Sequence, residues 1–141
     1  SAASDVYKRQ EVEWIEGKAF SECSSLRMIS LNNALSCIDD RAFEYCGELK
    51  ELRCPAGLRI IGYRAFYMSG LSSIVLNDGL ICVMGEAFYT QKFGTAEIIL
   101  PETVLYFERT VFSPTESIVI LCSDNPCHAR LALDGATVLY K

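Results

Sequence analysis

The sequence predicts an α/β repeat solenoid, in which short parallel strands alternate with short helical or turn segments along a right-handed coil. Three observations predict this fold: a recurring Ala-Phe pair, two further apolar columns with the same spacing, and turn-forming residues between the apolar segments. Successive Phe residues of the pair are separated by 23, 23, 22 and 24 residues. A fixed period of this length is the signature of a repeat architecture. The copies are Ala19-Phe20, Ala42-Phe43, Ala65-Phe66, Ala87-Phe88 and, more loosely, Val111-Phe112.

Two apolar columns precede the Phe column in the same register. One column lies five residues before each Phe, and the other lies three residues before that. Because a unit of 23 residues cannot bury its apolar side alone, we expect stacked units that place Phe, Ile and Leu in continuous interior ladders. The first column contains Ile15, Ile38, Ile61, Val83 and Phe107, and the second contains Val12, Leu35, Leu58, Leu80 and Val104.

Each repeat is expected to contain one strand and one short helical segment. After each Phe, apolar residues alternate as on a strand, for example in the run 29–31. Around each Ala-Phe pair the apolar residues recur at helical offsets, as in Ile38, Ala42 and Cys46, which predicts one or two helical turns. The connecting segments contain Pro, Asn and Gly, as in 54–58, and these residues favour turns.

Length and composition predict one domain and exclude some classes of partner. The chain has 141 residues, half of them hydrophobic, with 13 basic and 18 acidic side chains and a formal net charge of −5. Binding to a phosphate backbone or an anionic membrane requires a cationic face, so we expect no nucleic-acid partner. No apolar run approaches the roughly 20 residues that span a bilayer, so we expect no membrane insertion.

Candidate catalytic, cofactor and metal residues are few. His128, the single histidine, is adjacent to Cys127. Adjacent residues on a helical turn point in diverging directions, so Cys127 is not expected to act as a nucleophile with His128 as its general base. Cys122, Cys127 and His128 could also be metal ligands, but the sequence contains no second ligand pair with zinc-site spacing. Asp39-Asp40 is interpreted as a favourable acidic start of a helical segment. Glycine-rich phosphate loops are absent from the sequence. The sequence therefore predicts no catalytic, cofactor or metal site, and no enzyme.

The cysteines allow two interpretations. Cys23 and Cys46 occupy one column of adjacent repeats, and neighbouring strands lie about 4.8 Å apart, which is within reach of a disulfide. We expect these residues and Cys54 to be buried free thiols instead, because free cysteine behaves as a small apolar residue. Cys122 and Cys127 are the pair most able to bridge in an oxidising compartment. The total of seven leaves at least one thiol free.

The repeat resembles the BspA-like family of leucine-rich repeats. Written as a template, it is I-x-x-x-A-F-x-x-C-x-x-L-x-x-I-x-L-P-x-x-L-x-x-I, which covers residues 12–122 in about five copies and is best matched at 38–61. Departures are Cys54 at a strand position and Ser69 and Gln91 in the cysteine column. The resemblance implies a leucine-rich repeat solenoid at 12–122.

The chain ends are interpreted separately. The tail resembles the closing module of the family, in which a strand at 117–121 is followed by a capping helix and strand at 123–141. The helix covers about 125–133, Gly135 is its exit, and the last strand is 136–140. Residues 1–11 are assigned as a non-repeat leader, because projecting the strand columns back by 23 residues lands on Ala3, Val6 and Lys8. The leader resembles translated adapter sequence. We therefore expect the chain to be the carboxy-terminal part of a longer repeat protein.

A binding surface is predicted on the outward positions of the strands, where a solenoid presents an extended face. The run 50–53 forms a charged middle of this face, and Val75 and Ile99 form an apolar stretch. Exposed apolar residues in a row indicate a contact surface. The candidate residues are Met28, Ser30, Glu51, Arg53, Ser73, Val75, Glu97 and Ile99.

The sequence therefore predicts a non-catalytic domain that binds a protein partner on its strand face, as a monomer or as part of a longer chain. The resemblance implies a cell-surface or secreted protein of adhesion or recognition. The alternative is an intracellular interaction scaffold, which is favoured by the odd number of cysteines and by the lack of a signal pattern and of N-glycosylation sequons. The residues themselves do not indicate the compartment.

Overall fold

The computed structural model describes residues 7–8, 12–90, 95–108, 110–112, 117–122 and 136–140. Short strands and turns alternate along these residues. All strand pairs are parallel, as expected for a coil that returns to the same side once per repeat. The strands are β1 Tyr7–Lys8, β2 Trp14–Ile15, β3 Ile29–Ser30, β4 Cys37–Ile38, β5 Glu51–Arg53, β6 Ile60–Ile61, β7 Ser73–Val75, β8 Cys82–Val83, β9 Thr95–Ile99, β10 Tyr106–Phe107, β11 Ser117–Cys122 and β12 Ala136–Tyr140.

The strands form two series, whereas the sequence predicted one strand per repeat. The predicted strands, together with β1, which was not predicted, form the first series, which pairs as β1-β3, β5-β7 and β9-β11-β12. The second series is a five-stranded sheet, β2-β4-β6-β8-β10, in which each strand has two residues. Hereafter this is called the second sheet. Its register follows the predicted column, because Ile15 pairs with Ile38, and Ile38 with Ile61.

The predicted interior ladders are confirmed. Phe43 is fully buried and stacks at 5.1 Å, between ring centroids, on Phe20 in one neighbouring coil and on Phe66 in the other. Phe88 and Phe112 continue the same ladder. Side chains from both strand series and from the Phe column contribute to one hydrophobic core. The core is therefore a set of parallel ladders that runs the length of the described coils.

Of the predicted helical or turn segments, the structure has turns, because the described residues around each Ala-Phe pair form consecutive turns and no helix is confirmed there. The amide of Phe43 donates to the Ala65 carbonyl of the next coil at 2.7 Å, and the amide of Tyr45 donates to the Tyr67 carbonyl at 2.8 Å. Between them, the amide of Glu44 donates back within its own turn. An α-helix would direct each of these amides along its own axis. Every second amide instead connects two coils, so the segment cannot be helical.

Backbone dihedrals confirm this turn geometry. Among the described residues, seven other than glycine have φ between 51° and 61°, in the left-handed region. In three successive coils they come in pairs four residues apart. This spacing resembles that of residues on one helix face, although the hydrogen bonds of a helix are not formed in these turns. They are Lys18, Glu22, Arg41, Tyr45, Arg64, Met68 and Glu86.

The chain ends differ in part from expectation. Within the segment 1–11 that was assigned as a leader, β1 pairs in parallel with β3, and Tyr7 lies opposite Ile29. This offset is 22 residues, as it is between β5 and β7, so a projection by 23 residues missed the register. Strands are present at 117–122 and 136–140, whereas the predicted helix at about 125–133 lies outside the described residues. In the described part of the chain, no helix has the length and apolarity to cross a membrane.

Candidate binding surfaces

The predicted strand face consists of the eight outward side chains on and beside β3, β5, β7 and β9. All eight are exposed: Met28, Ser30, Glu51, Arg53, Ser73, Val75, Glu97 and Ile99. The alternation is strict on the central strands, because Leu52 and Ile74 point into the core between exposed neighbours. The inward and outward positions of this face are therefore those that the sequence predicted.

Neighbouring strands place these side chains side by side. Glu51 lies opposite Ser73, and Arg53 lies opposite Val75, in the parallel register of β5 and β7. Arg53 Nε donates to Glu51 Oε1 at 3.0 Å. Both side chains remain largely in solvent, at 75% and 58% exposure. Such a pair contributes little to stability and leaves both groups available to a partner.

A shallow depression of about 410 Å³ lies on this face beside β5. Three of its lining side chains are cationic and one is a carboxylate, so the local charge is positive on a chain that is acidic overall. A partner that presents acidic side chains next to an apolar group is complementary to this lining. The lining residues are Arg27, Met28, Ile29, Lys50, Glu51 and Arg53.

The second sheet carries a column of apolar residues that was not predicted from the sequence. The residue before each buried column residue is paired in register across all five strands. It is exposed on β2, β6 and β10, half-buried on β8 and buried on β4. Strands of two residues are too short to show alternation, which is why this sheet was not predicted. The signal was nevertheless present, since this position is apolar in every coil. The outer column consists of Trp14, Cys37, Ile60, Cys82 and Tyr106.

Five cysteines of the described residues are free thiols: Cys23, Cys37, Cys46, Cys54 and Cys82. Burial raises the pKa of Cys46 to about 12, and the Cys46 thiol donates to the Phe20 carbonyl at 3.1 Å. Burial likewise raises the pKa of Cys54 to about 12 and, together with Asp39 and Asp40, that of Cys37 to about 11. Because the thiolate is the nucleophile, these residues are poor candidates for covalent chemistry.

Asp39 and Asp40 connect coils instead of starting a helix. Asp39 Oδ2 accepts a hydrogen bond from Trp14 Nε1 at 3.2 Å, and Asp40 Oδ1 accepts one from the Tyr63 amide at 2.8 Å. Within the described ranges, no group of three or more His, Cys, Asp or Glu side chains could hold a metal ion. The candidate pair Cys127 and His128 lies outside the described residues, and of Cys122 only the backbone is described.

The sequence of this chain matches the model of one protein family. The profile described as the BspA type leucine-rich repeat region matches residues 3–119 in six copies. The chain belongs to the BspA-type leucine-rich repeat family. The sequence predicted about five copies from residue 12, whereas the match begins nine residues earlier and includes β1.

Solved structures agree with this BspA-type fold. The leucine-rich repeat protein of T. pallidum (TpLRR) matches with a TM-score of 0.67 and 22% identity, over 92% of this chain and 64% of that protein. A leucine-rich repeat protein from Bacteroides ovatus matches with a TM-score of 0.58 and 20% identity, over 96% of this chain and 39% of that one. This chain therefore spans less than two thirds of either protein. None of the curated proteins compared is a match.

Proposed function

We propose that this chain is a non-catalytic domain that binds a protein partner on the predicted strand face. The observation that carries this proposal is the exposure of all eight predicted side chains, of which those on β5 and β7 lie side by side in parallel register. Leucine-rich repeat proteins are typically interaction modules, and a solenoid offers an extended surface for such contacts. Arg53 and the adjacent depression give this face a local positive charge that selects acidic partner groups.

The residues at the depression have the composition of an interface centre. Met and Arg are enriched at interfaces, and Met28 and Arg53 both line the depression. Lys50 is held over the preceding turn, because its ammonium group donates to the Gly47 carbonyl at 3.2 Å. The Arg53 side chain is 75% exposed, and its hydrogen bond is to Glu51, a side chain that is itself largely in solvent. Arg53 is therefore the residue whose replacement tests the proposal best.

The experiment is site-specific photo-crosslinking in the cells that make the protein. A photo-reactive residue at Ser73, exposed on β7, is expected to capture a partner protein that mass spectrometry identifies. Arg53→Glu should lower the crosslink yield at least tenfold, because the new carboxylate would face the acidic groups of the partner. Arg53→Lys keeps the positive charge, so most of the crosslink yield should remain. The unfolding free energy should change by less than about 0.5 kcal/mol, as for surface substitutions.

The control position is Ser25, which is exposed in a turn outside both strand series. Equal crosslinking from Ser25 and Ser73, or a yield that Arg53→Glu leaves unchanged, contradicts binding on this face. Unfolding of Arg53→Glu would instead contradict the assignment of Arg53 to the outside. These outcomes are distinguishable, because urea unfolding measures stability without the partner.

The domain is proposed to act in adhesion or recognition at the cell surface or after secretion, which the family resemblance supports. An intracellular scaffold is the second candidate, and it is favoured by the free thiols Cys23, Cys37, Cys46, Cys54 and Cys82, since reducing compartments keep cysteines unpaired. Protease treatment of intact cells distinguishes the two. Digestion supports the surface location, and protection until the cells are lysed supports the scaffold.

A further inference from the structure

The second sheet exposes a strip of apolar side chains that the proposed function does not use, with one buried position, Cys37 on β4. Its outer column includes Trp14, Ile60 and Tyr106, which are 57%, 43% and 51% exposed. Ile81 and Leu105, each one position before an outer-column residue, are also exposed and widen the strip at its last two strands. Patches of several neighbouring exposed apolar residues mark interaction sites, whereas single exposed apolar residues do not.

The strip has the dimensions of one helix. Five strands at about 4.8 Å spacing give a strip about 19 Å long, which an α-helix of about 13 residues spans at 1.5 Å per residue. A helix with its side chains is about 10 Å wide. The resulting contact is far smaller than the roughly 800 Å² per partner that a stable protein dimer buries. The area therefore favours a single helix over a second copy of this chain.

The strip is bordered by carboxylates. Glu13 and Glu16 flank Trp14 in sequence, Asp39 accepts a hydrogen bond from the Trp14 indole, and Glu108 follows β10. The one cation at the corresponding positions is Arg59. It is turned toward the preceding turn, because its Nη1 donates to the carbonyl groups of Ala56 and Leu58, both at 3.2 Å.

These carboxylates contribute to the raised pKa values of Tyr106, Cys82 and Cys37, although burial is the larger cause for the two cysteines. Glu108 raises the pKa of Tyr106, and it contributes with burial to the raised pKa of Cys82. The pKa of Cys37 is raised by burial and by Asp39 and Asp40. An anionic membrane surface would be repelled by these carboxylates, whereas lysine or arginine side chains would pair with them.

We propose that the second sheet is a docking surface for a basic amphipathic helix of a partner protein. The apolar side of the helix would cover Ile60, Ile81 and Leu105, and its basic side chains would lie beside Glu16, Asp39 and Glu108. Packing an amphipathic helix on a sheet is the usual way to bury the apolar faces of both elements. This surface is separate from the strand face, so the two sites can be occupied independently.

The test uses a built-in reporter. Trp14 is the single tryptophan of the chain and lies on this strip, so its emission should shift to shorter wavelength when a helix covers it. The probe is a synthetic peptide of leucine and lysine arranged at helical spacing. Saturable binding is expected, and a matched peptide with glutamate in place of lysine should bind at least tenfold more weakly.

Substitutions on the sheet should weaken binding of the leucine-lysine peptide. Ile60→Asn and Leu105→Asn are each expected to raise its dissociation constant at least tenfold, because each removes an apolar anchor. Leu139→Asn is the matched control, since Leu139 is an apolar strand residue that is 50% exposed outside the second sheet. Circular dichroism and urea unfolding establish whether each variant is folded. If one of Ile60→Asn and Leu105→Asn does not fold, the other still tests the proposal.

Several outcomes would overturn the proposal. Binding that is equal for the lysine and glutamate peptides, or unchanged in both Ile60→Asn and Leu105→Asn, excludes a basic helix on this strip. A Trp14 shift that appears without peptide as protein concentration rises, with a doubled mass by sedimentation, assigns the strip to a second copy of the chain. A shift produced by vesicles of phosphatidylglycerol assigns it to a membrane.

Discussion

At the scale of single residues, the stacked aromatic ladder is the main determinant of stability. Phe43 is fully buried, and its ring contacts one Phe in each neighbouring coil. Phe43→Ala should therefore lower the unfolding free energy by about 3–5 kcal/mol, through lost burial and the cavity that remains. Urea unfolding measures the change.

Tyr45→Ala is the control for Phe43→Ala, because Tyr45 is an aromatic residue in the same turn but is exposed. Tyr45→Ala should lower the unfolding free energy by less than half as much as Phe43→Ala, since the Tyr45 ring lies at the surface with its edge contact to Tyr67. Equal costs for the two substitutions would show that the Phe ladder has no special role. The comparison separates burial in the ladder from loss of an aromatic ring as such.

At the scale of elements, the turn segments contain a testable strain. Glu22 has φ of 61° although it has a side chain, and the left-handed conformation costs about 1–2 kcal/mol for such residues. Glycine adopts it without that cost, although glycine loses more entropy on folding, by about 0.5–1 kcal/mol. Glu22→Gly should thus leave stability unchanged or raise it by up to about 1 kcal/mol. Thermal and urea unfolding measure the effect.

Ser24→Gly provides the reference for Glu22→Gly. Ser24 is also exposed and lies in the same turn region, but it does not have positive φ. Here glycine has only the entropic disadvantage, so stability should fall by about 0.5–1 kcal/mol. If both substitutions destabilise the protein equally, the left-handed geometry of this turn is wrong.

The elements also show what the sequence could and could not predict. Apolar columns such as Ile38-Ile61 and Phe43-Phe66 were found because side-chain burial recurs visibly in sequence. The choice between helix and turn could not be predicted, because it depends on whether the amide of Phe43 donates a hydrogen bond within its own segment or to the next coil. The strands of the second sheet were missed because two residues show no alternation. The outward positions of Glu51 and Arg53 were predicted because three-residue strands alternate.

At the scale of the whole molecule, the two strand series flank one shared core and carry different surfaces. The strand face has a cationic depression around Arg53, whereas the second sheet has an apolar strip bordered by Asp39 and Glu108. Because both surfaces are built from side chains that do not contribute to the ladders, they can vary without loss of the fold. A solenoid can therefore present two different partners with one core.

The solenoid architecture predicts that whole coils are removable units. Equivalent residues of adjacent coils are connected at a separation of 23 residues, as in the hydrogen bond from the Tyr63 amide to Asp40. Deletion of residues 39–61 removes one such unit, so Phe20 would stack on Phe66 and β4 would pair with β8. We expect a folded protein with unchanged mean ellipticity per residue, a lower unfolding free energy and a smaller urea m-value, since less surface is buried.

Deletion of residues 50–61 is the matched comparison, because it removes about half a coil and places core residues opposite surface positions. This variant should lose the cooperative transition altogether, since no ladder can continue across a half-coil step. Circular dichroism during urea titration distinguishes the two variants. If both deletions unfold the protein, stability depends on contacts beyond nearest-neighbour coils. If both retain a cooperative transition, the ladders do not determine the fold.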